Sequence, residues 1–448
     1  MEFIPMILGV LGIVFISKIL DEKLNILTPL SIIALTFGTY YFSHYQIVHL
    51  DNRSEYAVLI YALLPLLLLG DALNVKIVDV KKHIISLTML AGVALVVSIF
   101  IGYEVMNIAF PEYQLRIVDV IILFAMVLPT DPVSVISVFD KFKLPHSLKF
   151  HAEGESLLND GVAVAIFHSV GLAMLAGDHM GIIDMGFITI KSLIISGIIG
   201  LIIGFIGVGL LSLTVDRIKE FILILIVAYG SFFVSEHYFH VSGIFSIIVS
   251  IVTLNFFIER TVEEEIKESE NIQNTIKKTN LKKNVLNNFL NKIKTDITDI
   301  ARIEENKKLI GFLGLFANAL IFIGMAEMIS IDLLIQYKVE IFLIFFITTT
   351  IRFFMVGGIA LISNKTDKMA NINFRWTTVL WLSGIKGGLS IAMITMIPET
   401  YKFKEMFSAI VIGNVLLSTF IFSISLMLFI GKYKKEFSDE ADAEHSKH

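Results

Sequence analysis

The sequence predicts an all-α membrane protein of about 13 transmembrane helices. Of its 448 residues, 55% are hydrophobic and only 17% are charged, and the mean hydropathy is +0.79. Soluble domains carry roughly 25% charged residues, and no water-soluble core could bury this much apolar surface. The net charge of −5 indicates no nucleic-acid partner, and the absence of cysteine excludes disulfides, thiolate metal sites and cysteine nucleophiles.

The apolar runs give the number of predicted crossings. A membrane-spanning helix needs about 20 predominantly apolar residues, and polar or charged residues separate thirteen such runs. They lie near 3–20, 26–43, 56–73, 84–103, 115–139, 151–176, 187–213, 218–235, 239–258, 309–329, 333–362, 376–397 and 405–431. The chain is therefore expected to cross the cell membrane many times.

Lysine and arginine in the connecting loops predict the orientation. With the N-terminus outside, thirteen of them fall in inner loops and six in outer loops, as the positive-inside rule requires. The C-terminus is then cytoplasmic. The expected organisation is spans 1–9 in residues 1–258, a charged cytoplasmic insertion at 259–308, spans 10–13 in 309–431 and a cytoplasmic tail at 432–448.

Two polar segments remain outside the predicted membrane region. In the insertion, apolar residues recur at three- and four-residue steps from Leu286 to Ile300. This spacing would suit an amphipathic helix, but the composition favours a solvated linker with local helix. Residues 436–448 are acidic and lack apolar periodicity, so this part of the tail is predicted to be disordered.

A broken helix is predicted at Pro129-Thr130-Asp131-Pro132, in the middle of the fifth span. Each proline removes a backbone donor and clashes with the preceding turn, whereas Asp131 followed by Pro132 is typical of a new helix start. Asp131 could simply cap its own half-helix. A charge at mid-membrane costs at least ~2.5–3.5 kcal/mol on insertion scales, however, and this cost favours a functional role.

A second polar cluster, from Glu153 to Asp160, enters the sixth span. On a helix, Ser156 and Asp160 lie one turn apart, as do Glu155 and Asn159. The two neighbouring stripes present the hydroxyl, amide and carboxylate oxygens that hard cations such as Na⁺ prefer. Glu153 lies nearer the cytoplasmic loop and is interpreted as an interfacial charge.

A third cluster, from Ser383 to Gly388, interrupts the twelfth span around Lys386. Its three glycines loosen the helix, and a cation near a half-helix C-terminus offsets the partial negative charge there. Breaks at corresponding positions of two halves predict inverted repeats, spans 1–6 and 8–13, with two discontinuous crossing helices. The alternative is glycine-mediated helix packing, with Lys386 reaching the membrane surface.

Two more charged residues lie in or next to apolar stretches. Arg352, in the eleventh span, needs a partner, and Glu155 is the predicted one; contact with a lipid headgroup is the alternative. Asp71, near the cytoplasmic end of the third span, is either a loop residue or a residue that contacts the ligands of the cation without binding the cation itself. The histidines lie mostly at loops and helix ends, so no metal centre is expected.

These motifs resemble the monovalent cation:proton antiporter family, and within it the sodium/proton exchanger branch. The resemblance rests on Pro129-Thr130-Asp131-Pro132, Glu155-Ser156-Leu157-Leu158-Asn159-Asp160, Val241-Ser242-Gly243-Ile244, Thr350-Ile351-Arg352 and Trp381-Leu382-Ser383-Gly384-Ile385-Lys386-Gly387-Gly388. It implies a homodimer of thirteen-helix subunits. Within each subunit it implies that Asp160 and Asp131 bind the ion and that Thr130 and Ser156 complete its shell.

The resemblance also assigns roles to the neighbouring residues. It implies that Asn159 steadies the helix crossing and that Glu155 pairs with Arg352. Lys386 stands where many members carry arginine, which keeps the charge but loses the forked geometry.

The charges together predict the transport stoichiometry. Asp131 is expected to be offset by Lys386 and helix ends, and Glu155 by Arg352, which leaves Asp160 as the uncompensated carboxylate. A carboxylate that holds a proton attracts a cation poorly, so the two compete. The sequence therefore predicts electroneutral one-for-one exchange of Na⁺ (or Li⁺) for H⁺, a role in pH homeostasis, no enzyme activity and no cofactor.

Three other functions remain open at this point. A K⁺/H⁺ antiporter would have the same architecture, because the motifs do not set ion size. An ion channel would need a continuous pore, which single intramembrane carboxylates suit less well than a carrier. An intramembrane aspartyl protease would need Asp131 and Asp160 to share a proton.

Overall fold

The computed structural model describes residues 3–43, 53–177, 180–211, 213, 216–278, 283–328, 331–365 and 372–445, and over 261–303 only the backbone. These residues form helices and connections, with no strand among them. The helices are α1 (Phe3–Leu24), α2 (Thr28–Ser43), α3 (Arg53–Asn74), α4 (Ile77–Ala109), α5 (Ile117–Val127), α6 (Pro132–Phe139), α7 (His146–Leu175), α8 (Ile182–Leu211), α9 (Ile218–Tyr238), α10 (Gly243–Lys278), α11 (Lys283–Met328), α12 (Lys338–Ser363), α13 (Phe374–Leu382), α14 (Gly388–Met396), α15 (Lys404–Lys432) and α16 (Lys434–His445). Short helical turns at Pro111–Tyr113 and Ile331–Gln336 complete the described set.

The predicted fold class, an all-α membrane protein, is confirmed. Within the described ranges, nine helices are long and apolar enough to cross a membrane, where α5 and α6 together count as one. A shorter apolar helix runs over Val58–Asn74, and each of the other predicted spans overlaps a helix. The count of thirteen crossings and the inverted-repeat relation stay predictions.

The predicted linker at 259–308 is helical wherever its backbone is described. Its first part is the end of α10 and its second part is the start of α11. The segment contains neither glycine nor proline, so nothing in it stops a helix that has already been nucleated in a neighbouring span. The expected solvated linker with local helix was therefore wrong in the extent of its helix, and its exposure to solvent stays a prediction.

The predicted disorder at 436–448 was also wrong over the described residues, because α16 extends to His445. Phe437 and Ala441, one turn apart, are buried. The Glu440 carboxylate accepts hydrogen bonds from Arg375, from Asn373 Nδ2 at 3.1 Å and from Trp376 Nε1 at 2.8 Å. A short apolar face and a captured carboxylate thus order a segment whose composition resembles that of a disordered tail.

The packing places both broken helices in the interior. α14 packs against α3, α5, α11 and α15, while α6 packs against α7 and α15. α7 in turn packs against α4, α6 and α10. Of the apolar 18-residue stretch in the α5–α6 pair, 83% is buried inside the protein. The break is therefore surrounded by protein, as unwound backbone at membrane depth requires.

Candidate functional site

The first broken helix is interrupted between Val127 and Pro132, as the sequence predicts. Asp131 caps the start of α6: its Oδ1 accepts from the Val133 amide at 3.2 Å and its Oδ2 from the Ser134 amide at 3.3 Å. The Ser134 hydroxyl also donates to Oδ2. Asp131 is therefore held in place by the amide groups of the helix that it begins.

The second broken helix is interrupted between Leu382 and Gly388, and its unwound backbone crosses the first. The Asp131 amide donates to the Ile385 carbonyl at 2.7 Å. Gly387 lies so close to this crossing that a Cβ there would be 2.5 Å from the Asp131 Cβ. A glycine is therefore required at position 387 for the two unwound segments to approach this closely.

The Leu128 carbonyl, at the C-terminal end of α5, accepts two hydrogen bonds from other elements. Lys386 Nζ donates to it at 2.9 Å and Asn159 Nδ2 at 3.2 Å. Within the described chain, Lys386 forms no ion pair. Its ammonium therefore meets the carbonyl end of the other broken helix, and the sequence-based expectation that Lys386 offsets Asp131 is not matched by a direct contact.

Glu155 and Arg352 form a two-point ion pair that joins α7 to α12. Arg352 Nη1 donates to Glu155 Oε1 at 3.0 Å and Nη2 to Oε2 at 2.8 Å. The same guanidinium donates to the carbonyls of Leu380 at 2.9 Å and Trp381 at 3.3 Å, in the last turn of α13. A Cβ at Gly384 would be 2.8 Å from the Arg352 Cδ and Nε, so this glycine makes room for the arginine.

The polar face of α7 meets the first break through Ser156. The Thr130 hydroxyl donates to Ser156 Oγ at 2.9 Å, and the Ser156 hydroxyl donates to the Thr130 carbonyl at 2.5 Å. Asp160 lies one turn further along α7 and is 3% exposed. Its Oδ1 has no hydrogen-bond partner among the described residues, which leaves this carboxylate oxygen open to a ligand.

A small cavity of about 10 Å³ lies beside the crossing, with room for about one water molecule or one bare ion. Thr130, Asp131 and Asp160 line it, together with Asp71 from α3 and Ser390 from α14. Asp71 is thus a wall residue of the cavity and not part of a loop. Ser156 and Asn159 lie behind this wall, and Glu153 lies half-buried on α7 away from it.

Ser390 is the site residue that sequence reasoning missed. Its side chain is buried, and its hydroxyl has no partner in the described parts of the chain. A serine in the first turn after the glycine break was the available signal. This signal can be interpreted only once α14 is known to begin at the cavity.

Crossed broken helices beside buried carboxylates are an architecture of secondary transporters. The chain matches the family model described as sodium/hydrogen exchanger, transmembrane, over residues 6–430. The protein therefore belongs to the sodium/hydrogen exchanger family, as the sequence motifs predicted.

Named relatives agree with this assignment. The chain is 26% identical over 379 residues to the Na⁺/H⁺ antiporter ApNhaP of Aphanothece halophytica, covering 82% of this chain and 63% of that protein. It is 26% identical over 374 residues to the low-affinity Na⁺/H⁺ antiporter NhaS1 of Synechocystis, covering 80% and 61%. The match thus spans less than two thirds of the length of either relative.

The fold is also found in a solved structure. The sodium proton antiporter MjNhaP1 from Methanocaldococcus jannaschii, at pH 8, superposes with a TM-score of 0.65 at 16% sequence identity. The similarity covers 98% of this chain and 99% of that one, so the two proteins share a fold over nearly their whole length.

Proposed function

We propose that this protein exchanges Na⁺ or Li⁺ for H⁺ across the membrane, one for one, at Asp160 and Asp131. The observation that carries the proposal is the Asp160 carboxylate, which is buried in the cavity wall with Oδ1 unpartnered among the described residues. The names of the relatives, Na⁺/H⁺ antiporters, support the choice of ions.

Competition at one carboxylate explains how the exchange is coupled. Ionised Asp160 attracts a dehydrated cation, to which Thr130 contributes a further cavity oxygen while Ser156 holds Thr130 in position. A proton on Asp160 removes that attraction. Because only one of the two is bound at a time, each crossing carries either a cation or a proton.

Asp71 sets a condition on the stoichiometry. It adds a carboxylate to the cavity that the charges considered from the sequence did not include. Electroneutral one-for-one exchange requires Asp71 to keep one protonation state throughout the cycle. If Asp71 also gained and lost a proton, each turnover would move net charge.

The same proposal includes the arrangement of the protein in the membrane. The N-terminus is outside, and the C-terminus, the 259–308 insertion and α16 are cytoplasmic, as the loop lysines and arginines favour. The functional unit is a homodimer, as the family resemblance implies. No cofactor takes part, since Na⁺ and H⁺ are the transported substrates.

Reconstituted proteoliposomes with an imposed pH gradient test the proposal. Addition of Na⁺ or Li⁺ should dequench an internal pH dye, and K⁺ should have a much smaller effect. Asp160→Asn should abolish the response, and Asp184→Asn, an identical change at an exposed position on α8, should leave it intact. Retained exchange by Asp160→Asn would refute the role of Asp160, and a K⁺ response equal to that of Na⁺ would favour K⁺/H⁺ exchange.

A further inference from the structure

Ser390 has a hydroxyl that its own helix does not use. Several serine and threonine side chains elsewhere in the spans donate to the carbonyl four residues earlier, as do Ser98, Ser137, Thr348 and Ser408, whereas others, such as Ser196, have no partner among the described residues. Ser390 is 1% exposed, and its Oγ has no such partner among the described residues. An unpaired buried hydroxyl is unfavourable, and this one lines the cavity, where a ligand could pair with it.

The break in the twelfth span explains why this hydroxyl is free. Ser390 stands in the first turn of α14, so the carbonyl four residues earlier belongs to Lys386, in the unwound segment. That carbonyl faces the Thr419 hydroxyl, at 3.5 Å. The Ser390 side chain is therefore left on the cavity wall together with Asp71 and Asp160.

The position of Ser390 complements the other oxygens. α3, the first break and α7 supply Asp71, Asp131 and Asp160, whereas Ser390 comes from the second broken helix. The Thr130 and Ser156 hydroxyls are bonded to each other, while Ser390 Oγ keeps both lone pairs available. A cation that loses its water needs oxygens on several sides.

We propose that Ser390 Oγ coordinates the transported alkali cation and so helps to set the affinity for Na⁺ and Li⁺. This proposal rests on the proposed exchange function and adds a ligand to it. Ser390 binds the cation and not the proton. Its loss therefore weakens cation binding but leaves the Asp160 carboxylate, which couples cation transport to proton transport.

The test measures exchange by Ser390→Ala in proteoliposomes over a range of Na⁺ and Li⁺ concentrations. Loss of one neutral oxygen ligand is expected to raise the KM for both cations about fivefold, with a maximal rate that changes by less than about twofold. Alanine favours the helix and removes an unpaired group, so the variant should fold. Ser390→Cys keeps the size but offers a soft sulfur, and should raise the KM in the same way.

Ser196 provides the matched control. It is buried on α8 and has no hydroxyl partner among the described residues, but it does not line the cavity. Ser196→Ala should keep the wild-type KM. An unchanged KM in Ser390→Ala, or an equal rise in Ser196→Ala, would overturn the assignment. Absence of Na⁺-driven proton flux in the wild type would instead refute the proposed function.

Discussion

Replacing Gly387 with alanine tests how closely the two broken helices must cross. The new Cβ would lie 2.5 Å from Cβ and 2.8 Å from Cγ of Asp131, closer than the 3.0 Å at which something must shift. The crossing backbones would have to separate. Their separation would stretch the 2.7 Å hydrogen bond from the Asp131 amide to the Ile385 carbonyl.

The size of the effect follows from opposing contributions to the free energy of unfolding. Overpacking a buried contact costs about 1–3 kcal/mol, and loss of the hydrogen bond adds roughly 1 kcal/mol. The backbone of Gly387 is extended, with φ −138° and ψ −163°, so alanine is not strained and recovers about 0.4–1 kcal/mol of chain entropy. The net expectation is a loss of about 1–3.5 kcal/mol, together with most of the transport, because Asp131 is displaced.

Thermal melting in detergent and proteoliposome exchange measure the two effects. Gly357→Ala is the control, because a Cβ at Gly357, inside α12, would meet nothing within 4 Å. That variant should be stabilised by about 0.5–1 kcal/mol and should transport normally. If Gly387→Ala melts and transports like the wild type, the crossing is looser than its geometry indicates and the reasoning fails.

Three further predictions concern charged residues. Arg352→Met leaves Glu155 buried without its partner and should destabilise the protein by about 3–5 kcal/mol; adding Glu155→Gln should recover much of the loss in a double-mutant melting cycle, and additive losses would contradict the pairing. Asp71→Asn should weaken Na⁺ binding, and both this variant and the wild type should exchange ions independently of membrane potential in valinomycin-clamped vesicles; a wild-type response to potential that Asp71→Asn abolishes would show that Asp71 carries a proton. Partial burial raises the pKa of Glu444, but hydrogen bonds from Ser147 outweigh it and leave the pKa below its ordinary value. The ionised Glu444 therefore stabilises the docking of α16 at any pH above its ordinary pKa of about 4.3, and this stabilisation is lost only as the pH falls through its lower pKa in the folded protein. Limited proteolysis should release the tail no faster at about pH 5 than at neutral pH, and faster release at pH 5 would contradict this.

The breaks in the helices could be predicted from the sequence because they depend on local chemistry. Proline removes a donor and glycine removes a side chain wherever they occur, so the interruptions after Val127 and after Leu382 follow from a few adjacent residues. The partner of Arg352 could be predicted for a related reason. A buried cation needs a carboxylate, and the apolar spans offer few.

The contacts of Lys386, Asp71 and Ser390 could not be predicted in this way. Sequence spacing indicates that Lys386 lies near a half-helix end, but not that the end belongs to α5, which is far away in the chain. Asp71 and Ser390 reach the cavity only because α3 and α14 pack against each other. The sequence did not predict that α16 is an ordered helix, because its order depends on hydrogen bonds that Glu440 accepts from residues at the start of α13.

Three of the four half-helix ends at the crossing meet a charged side chain. The carbonyl end of α5 receives Lys386, the carbonyl end of α13 receives Arg352, and the amide end of α6 receives Asp131. The amide end of α14 has no side-chain cap of its own and faces the cavity through Leu389 and Ser390. A helix N-terminus repels a bound cation, so α14 opposes part of the attraction that the cavity carboxylates exert. A carrier must release its ion as well as bind it, and in the proposed exchange this opposition would lower the affinity at Asp160 and so favour release.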